Sequence, residues 1–495
     1  MRLDELTDVE VPGLRVPSPT PSSVEIAHLA YDSRRVGPGT LFFCVPGFES
    51  DGHDFAADAL ARGAAALVVE RELGLGVPEL VVRSTRAAMG PLAAHFYHEP
   101  SSELRVIGIT GTNGKTTTAH LVYSLLQGTG ERCGLLGTVE SRVAGARRPA
   151  TRTTPEAIDL HADFREMLDA GERHCAMEVS SHALELGRTD GVHFAAAVFT
   201  NLTQDHLDFH ETMEDYFQAK RRLFLPAGGT EAPRIAVVNL DDPYGRRLAD
   251  EIEHPVTFAI DADADFRARE LRVELAGSRF ELDTPAGSHS IALPLAGRFN
   301  VSNALAALAV THTLGVELET LVRALHRGVR VPGRVETVEE GQDFVVLVDY
   351  AHTPDSLRNV LNTAHEVGRG RVICVFGAGG DRDRGKRPLM GEVGARLSDV
   401  LLVTSDNPRS EDPEEIIAEI MAGASLVARP PGAPPVIAEV DRRAAIERAV
   451  ALAGSGDVLV IAGKGHEQGQ ELADGVKVPF DDVTVAREAL GARVG

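Results

Sequence analysis

Ten consecutive residues, Gly108-Ile109-Thr110-Gly111-Thr112-Asn113-Gly114-Lys115-Thr116-Thr117, carry the most readable chemistry in the chain. The apolar run 104–109 ahead of them reads as a buried strand. Behind them Ala119, Val122, Leu125 and Leu126 set a helical period that ends at Gly128. Strand, glycine-rich loop, lysine, hydroxyl and helix together hold polyphosphate. Backbone N–H groups and a helix N-terminus face the anion, the lysine reaches the outer phosphates, and a threonine hydroxyl can ligate Mg²⁺. The usual pattern places a glycine five residues before Gly114. Here Ile109 stands in that position and the glycine lies one residue earlier, so the loop is a variant.

Other chemistry-bearing residues follow apolar strands. Glu178 ends the run 175–179, where a carboxylate beside a phosphate loop can hold Mg²⁺ or take part in an ordinary salt bridge. Asn201 to His210 contains Asp205, His206, Asp208 and His210. Beside a phosphate loop this favours one histidine joining a Mg²⁺ shell over a zinc site, with Asp208 and His210 as caps or surface residues. Lys220 shares a helical face with Tyr216, Phe217 and Phe224. An inward lysine must neutralise, pair or be modified, and from the residues alone a snorkelling side chain is the simpler reading.

Four further loops carry charge: Asp349-Tyr350-Ala351-His352-Thr353-Pro354, Gly377 to Pro388, Ser405-Asp406-Asn407-Pro408-Arg409 and Gly463-Lys464-Gly465-His466-Glu467. Each follows an apolar strand, so they should converge on one crevice beyond the carboxyl ends of a parallel sheet. Arg387 and Arg409 offer forked donors to carboxylates, and Asp406 and Glu467 can receive an ammonium. That combination suits an amino-acid substrate.

The elements that position these residues repeat strand–helix alternation in three blocks, so the expected class is α/β with three domains in series: 1–100; 101–332, a central P-loop ATPase-type domain with a mostly parallel sheet; and 333–495, Rossmann-like. The pattern breaks at Val331-Pro332-Gly333-Arg334. A length of 495 residues supports several cores, and 43% hydrophobic with 25% charged content is ordinary for a globular protein. A net charge of −23 argues against wrapping nucleic acid or lying on an anionic membrane. The four cysteines lack metal-type spacing and read as reduced core thiols, and no apolar run approaches bilayer length. The chain is read as cytoplasmic, with no membrane insertion.

Together these residues resemble the Mur ligases of bacterial cell-wall synthesis. The resemblance rests on Gly111 to Thr117, Met177 to His182, Asn201 to His210, Asn300-Val301-Ser302-Asn303 and Asp349 to Pro354, and runs from Tyr31 to Val483. It implies ATP-driven amide formation through an acyl phosphate, with release of ADP. ATP would lie on Gly111, Thr112, Asn113, Gly114, Lys115, Thr116 and Thr117, and face Asn300, Arg334 and Asp349. Lys115, Glu178, His206 and Lys220 would be catalytic. Mg²⁺ would be held by Thr116, Glu178, His206 and Lys220, the last as an N6-carboxylysine carbamate. UDP-MurNAc-L-Ala-D-Glu would meet Tyr31, Ser33, the Gly47–Ser50 loop, Thr153, Thr154, Ser180 and Arg188. Arg152 and Leu186 depart from the asparagine and glutamine of some relatives. Asp406, Asn407, Pro408 and Arg409 resemble the signature of members that add 2,6-diaminopimelate, with Arg387, Gly463 and Glu467 completing that pocket. The diaminopimelate isomer is read as meso, with LL as the alternative, and the chain as a monomer. Two rivals are a lysine-adding or folylpolyglutamate-type ligase and, in another class, a P-loop NTPase switch.

Overall fold

The computed structural model describes every residue except 12, 17–23, 48–49, 227–230, 329–330 and 495, and the side chain of Val494. The described residues divide into two compact units. One comprises Met1–Ile109, Gly130–Ala197 and Ala219–Ala236; the other comprises Thr110–Thr129, Val198–Gln218 and Val237–Gly495.

The first unit opens with a parallel sheet in the order β1 (His28–Ala30), β2 (Thr40–Phe43), β3 (Ala64–Val69), β4 (Glu79–Val81). Its β-branched, leucine and phenylalanine positions are buried on both faces, as covered parallel sheets require. A second group pairs β5 (Arg105–Thr110) with β9 (His174–Glu178), and β9 with β6 (Cys133–Leu136), all parallel. β7 (Glu140–Val143) and β8 (Ala146–Pro149) then continue from β6 antiparallel. Gly108 lies inside β5 at ordinary φ, where a Cβ would come within 2.7 Å of the Phe194 ring. The displaced glycine of the sequence pattern is therefore a packing residue, and Gly111 is the first glycine of the loop itself.

Three strands, β5, β10 (Phe194–Phe199) and β11 (Ile235–Asn239), have residues in both units. In the second unit β11, β12 (Val256–Ala259) and β13 (Phe266–Glu274) are parallel neighbours. β13, β14 (Gly277–Thr284) and β15 (Gly287–Leu293) then form an antiparallel meander. The expectation of mostly parallel strands thus holds for β5, β6, β9, β11 and β12, while hairpins were not foreseen. A six-stranded sheet follows, with β16 (Glu336–Thr337), β17 (Val345–Asp349), β18 (Val372–Phe376), β19 (Val400–Thr404), β20 (Ile437–Glu439) and β21 (Val458–Ala462) in the order β16-β17-β21-β18-β19-β20. All are parallel except β16. A two-stranded ribbon, β22 (Gly469–Glu471) and β23 (Lys477–Pro479), completes the strands. Hydrophobic clusters cover both faces of the six-stranded sheet. All four cysteines are buried and free, and no helix among the described residues is long and apolar enough to cross a membrane.

One ion pair pins the carboxyl ends of this sheet. Arg442 and Asp482 are both 0% exposed, joined by Nε to Oδ1 at 2.8 Å and Nη2 to Oδ2 at 2.7 Å. Arg442 Nη2 also donates to the carbonyl of Ala462 at the end of β21, and Nη1 to that of Ser405 just beyond β19. Removing one partner of such a pair strands a buried charge, at a cost of about 3–5 kcal/mol. Asp482→Ala should therefore lower the melting temperature sharply, and the apolar double variant Arg442→Met/Asp482→Leu should recover much of the loss. A melting curve unchanged by Asp482→Ala would contradict this role.

Candidate active site

In the second unit the phosphate loop is shaped by contacts that leave no alternative to glycine at two positions. Gly111 has φ +149, and a Cβ there would lie 1.9 Å from Thr200 Oγ1; Gly114 has φ +88, and a Cβ would lie 2.4 Å from Asn303 Oδ1. Thr200 Oγ1 donates to the carbonyl of Asn113 at 2.6 Å. The Asn201 amide grips the same residue from both sides, accepting from the Asn113 N–H at 2.9 Å and donating to its carbonyl at 3.1 Å. Lys115 Nζ folds back onto the carbonyls of Gly111 and Thr112, each at 2.8 Å. Arg334 Nη2 donates to Thr116 Oγ1 at 3.0 Å, and its guanidinium lies 4.8 Å over the Tyr350 ring. These contacts hold the loop ahead of the helix Lys115–Gly128, whose N-terminus favours anions.

Beside the loop lies a cavity of about 350 Å³, lined by Asn113, Gly114, Thr117, Asn303, Arg334 and Asp349, and further by Arg298, Asp355 and Asn359. Its size suits a small ligand. Asp349 takes backbone N–H bonds from Val335 and Ala351, and burial raises its pKa. Asn300 corrects the sequence reading. It is fully buried, donates to the Ala296 carbonyl and accepts from Asn303, so Asn303 faces the cavity and Asn300 supports it. The spacing of the two asparagines, three residues apart on one helix, was the signal.

Asp205, expected only as a neighbour of His206, is a buried hub. Its Oδ1 accepts from Lys386 Nζ at 3.1 Å, while Oδ2 lies 3.5 Å from His206 Nε2 and 3.9 Å from His352 Nε2. Burial opposes its charge, yet Lys386 and the two imidazoles hold its pKa below the usual carboxylate range. Burial, reinforced by Lys386, drops the pKa of His352 to about 4. His206 adopts φ 57, a left-handed conformation found at functional positions. Asp208 is exposed, as the surface reading expects, whereas His210 is buried and stacked on Tyr216, so it is a packing residue and not a surface one.

In the first unit Glu178 is buried and accepts from the N–H and hydroxyl of Thr138, at 2.7 and 3.1 Å. Thr153 Oγ1 meets Thr138 Oγ1 at 3.0 Å. Thr154 Oγ1 donates to the Glu178 carbonyl and accepts from the Ser180 N–H; Arg188 Nη1 reaches the Thr154 carbonyl at 3.5 Å. The structure thus joins Thr153, Thr154, Ser180 and Arg188 around Glu178. Glu156, which the sequence reading did not single out, gathers Arg86, Arg152 and Arg188. A separate cavity of about 840 Å³ is lined by Tyr31, Ser33, Gly47, Ser50, Arg152 and Glu156. Tyr31 OH donates to Asp159 there. Phe48 and Glu49, inside the Gly47–Ser50 loop, lie outside the described residues. Leu186 caps the short helix Ser181–Glu185. Lys220 is 1% exposed, so it does not snorkel to water.

The four charged loops of the six-stranded sheet do converge. A Cβ on Gly463 would lie 2.4 Å from Asp406 Oδ2, one on Gly379 would lie 3.1 Å from Arg409 Nη1, and one on Gly465 would press on Tyr350. Asn407 Nδ2 donates to Glu467 Oε2 at 2.8 Å. Pro408 is buried behind Arg409, with its carbonyl packed against Gly380. Arg387 is fully buried, with Nη1 and Nη2 bonded to Glu411, Glu419 and the Gly379 carbonyl, so these partners hold its guanidinium and it braces the loop. Lys464 was missed as a contributor: fully buried, its Nζ donates to Asn407 Oδ1 at 2.8 Å and to Glu467 Oε2 at 3.0 Å.

No group of three or more His, Cys, Asp or Glu among the described residues forms a ready-made metal cage. A hydroxyl at Thr116 and a buried carboxylate at Glu178 are nonetheless hard oxygen donors. Each by itself is of the donor type that suits Mg²⁺, which retains waters and substrate phosphates in place of an all-protein cage.

Asn201→Ala would free the Asn113 N–H and remove one of the two bonds to its carbonyl, the one from Thr200 remaining. Two net hydrogen bonds at about 0.5–1.5 kcal/mol each correspond to roughly tenfold in affinity. Calorimetric titration with a nucleoside diphosphate should show that loss, with at most a small fall in melting temperature. Equal affinities for variant and wild type would contradict the loop-holding role.

Comparison with known proteins agrees with this geometry. Three family models match: Mur ligase family, catalytic domain, at 25–97; Mur ligase middle domain at 109–311; and Mur ligase, glutamate ligase domain, at 333–465. A curated protein of Geobacillus kaustophilus, named UDP-N-acetylmuramoyl-L-alanyl-D-glutamate–2,6-diaminopimelate ligase, is 48% identical over 95% of this chain and 96% of its own length. One of the same name from Solibacter usitatus is 48% identical over 99% and 98%. A solved structure bearing that ligase name is 34% identical with TM-score 0.70, covering 100% of this chain and 99% of its own. A MurF ligase of Thermotoga maritima in complex with ADP, 19% identical with TM-score 0.65 over 94% of this chain and 97% of its own, shares the fold. The chain belongs to the Mur ligase family.

Proposed function

We propose that the chain is an ATP-dependent, ADP-forming amide ligase that joins 2,6-diaminopimelate to UDP-MurNAc-L-Ala-D-Glu. The observation that carries this reading is the near-half identity, end to end, to curated relatives named for that reaction, together with the Asp406–Arg409 loop that would select the amine.

In this reading ATP lies in the cavity beside Gly114, with Lys115 leaving its own loop carbonyls to reach the outer phosphates, and Arg334 and Asp349 facing the nucleotide. A carboxylate oxygen of the dipeptide attacks the γ-phosphorus; the bond to ADP breaks and an acyl phosphate forms. The neutral amine of diaminopimelate then attacks the acyl carbon, loses a proton and expels phosphate, leaving the amide. Loop N–H groups and Lys115 stabilise the charge that develops during phosphoryl transfer. Thr116, Glu178, His206 and Lys220 are the residues that would hold Mg²⁺, which supplies charge neutralisation at the phosphates. Burial of Lys220 supports its conversion by CO₂ to a carbamate, since that replaces a buried cation with an anion able to bind a cation. Tyr31, Ser33, Thr153, Thr154, Ser180 and Arg188 would take the UDP-sugar peptide. Asp406, Asn407, Arg409, Gly463 and Glu467 would take diaminopimelate, the meso isomer in preference to LL. The distal carboxylate separates this substrate from lysine, and Arg409 is the forked donor that could read it. The family-model matches support substrate, ATP and amine domains at 1–100, 101–332 and 333–495. The reading also has the chain act as a cytoplasmic monomer.

The test incubates the purified protein with ATP, Mg²⁺, UDP-MurNAc-L-Ala-D-Glu and one amine: meso-diaminopimelate, LL-diaminopimelate or L-lysine. Stoichiometric ADP, phosphate and tripeptide product with diaminopimelate are expected. Release of AMP, or product with lysine alone, would overturn the reading.

A further inference from the structure

We propose that Glu471 is a positioning residue, which holds Arg409 in the conformation that presents its guanidinium to the distal carboxylate of the amine substrate; the proposal rests on the function proposed above.

Arg409 has φ 52. A side-chain-bearing residue in the left-handed region is strained and persists only where its surroundings fix it. What fixes it is the β22–β23 ribbon, registered Gly469 to Pro479, Gln470 to Val478 and Glu471 to Lys477. Glu471 touches the Asp406–Arg409 loop at three atoms. Its carbonyl accepts from the Arg409 N–H at 3.1 Å, its own N–H donates to Asn407 Oδ1 at 3.0 Å, and its Oε2 accepts from Arg409 Nε at 3.0 Å. Gln470 adds a bond from Nε2 to the Asp406 carbonyl at 2.7 Å. On the far side Arg409 Nη1 donates to the Gly380 carbonyl at 2.6 Å.

These contacts leave a defined remainder. Nε is spent on Glu471 and one Nη1 proton on Gly380, while Nη2 has no hydrogen-bond partner among the described residues. The side chain is 22% exposed. A guanidinium held at Nε and Nη1 cannot rotate freely, so its remaining N–H groups form a preset donor edge for a carboxylate. Fixing that edge before binding removes ordering entropy from the bound state. Arg387, the other arginine of these loops, cannot substitute, because Glu411 and Glu419 hold it.

The experiment compares wild type with Glu471→Ala, Glu471→Gln and Glu471→Asp, measuring kcat, KM for meso-diaminopimelate, KM for ATP and the preference for diaminopimelate over lysine. Loss of one charge-assisted bond predicts that Glu471→Ala raises the diaminopimelate KM about tenfold or more, with the ATP KM within about twofold. The preference over lysine should fall in proportion. Glu471→Gln keeps an oxygen acceptor and should restore most of the loss, whereas Glu471→Asp, drawn back by one methylene, should fall between. If Glu471→Ala is too unstable to assay, the Gln and Asp variants still rank in that order. An unchanged or lower diaminopimelate KM in these variants overturns the proposal. So does an equal rise in both KM values, which would mark a merely structural residue. Failure of the proposed function appears separately, as a wild type that does not turn over diaminopimelate.

Discussion

A buried carboxylate must find a cation, and Asp205 finds Lys386 at 3.1 Å. The two residues are 181 positions apart, one in the histidine-rich loop and the other at the head of the helix that follows the Gly377–Gly385 loop. Both are buried, so separating them would strip each of its nearest opposite charge where water does not reach, a heavier penalty than a surface pair imposes. The pair thereby fixes, within the second unit, where the loops of the six-stranded sheet stand relative to the phosphate loop. Its neighbours follow from it. His352 stays neutral because it is buried beside the Lys386 ammonium, and its Nδ1 settles on the Tyr350 carbonyl. Arg334 lies over the Tyr350 ring and reaches Thr116.

Around that pin the unit separates two tasks. The phosphate loop is built from backbone, shaped by Thr200, Asn201 and Asn303, and closed to any side chain at Gly111 and Gly114. The amine-side loops are built from side chains. Arg442 ties the ends of β19 and β21 from behind, Lys464 bridges Asn407 and Glu467, and Glu471 grips Arg409. The first arrangement suits a ligand all such ligases share, and the second can vary with the amine. The proposed division between ATP activation and amine selection follows this difference in construction.

Much of this was legible in the residues. Apolar runs bounded by glycine or polar turns placed β17, β18, β19 and β21 within a residue or so, and the helix after Lys115 ended where its period did. The antiparallel strands were not read. β13 and β14 interleave apolar with charged residues, a period-two signal for half-exposed strands unlike the continuous apolar runs of the buried parallel strands. In the site, residue type showed which loops mattered but not which side chain faced the ligand. Arg387 and Arg409 both look like carboxylate forks, and only the partners Glu411 and Glu419, brought close by folding, show that the first is occupied. Asn300 and Asn303, both buried, differ by less than one helical turn, which decides which of them lines the cavity. Lys464 and Glu471 act through contacts with residues some sixty positions away, a distance at which sequence pattern carries no information.

The central claim is that a substrate carboxylate, once phosphorylated, becomes the acyl donor for the amine. Supplying UDP-MurNAc-L-Ala-D-Glu labelled with ¹⁸O in its terminal carboxylate, together with ATP and diaminopimelate, tests it directly by mass spectrometry of the products. One labelled oxygen should pass from the carboxylate to inorganic phosphate for each amide formed, while ADP stays unlabelled. Amide formation with unlabelled phosphate, or with the label in AMP, would contradict the account.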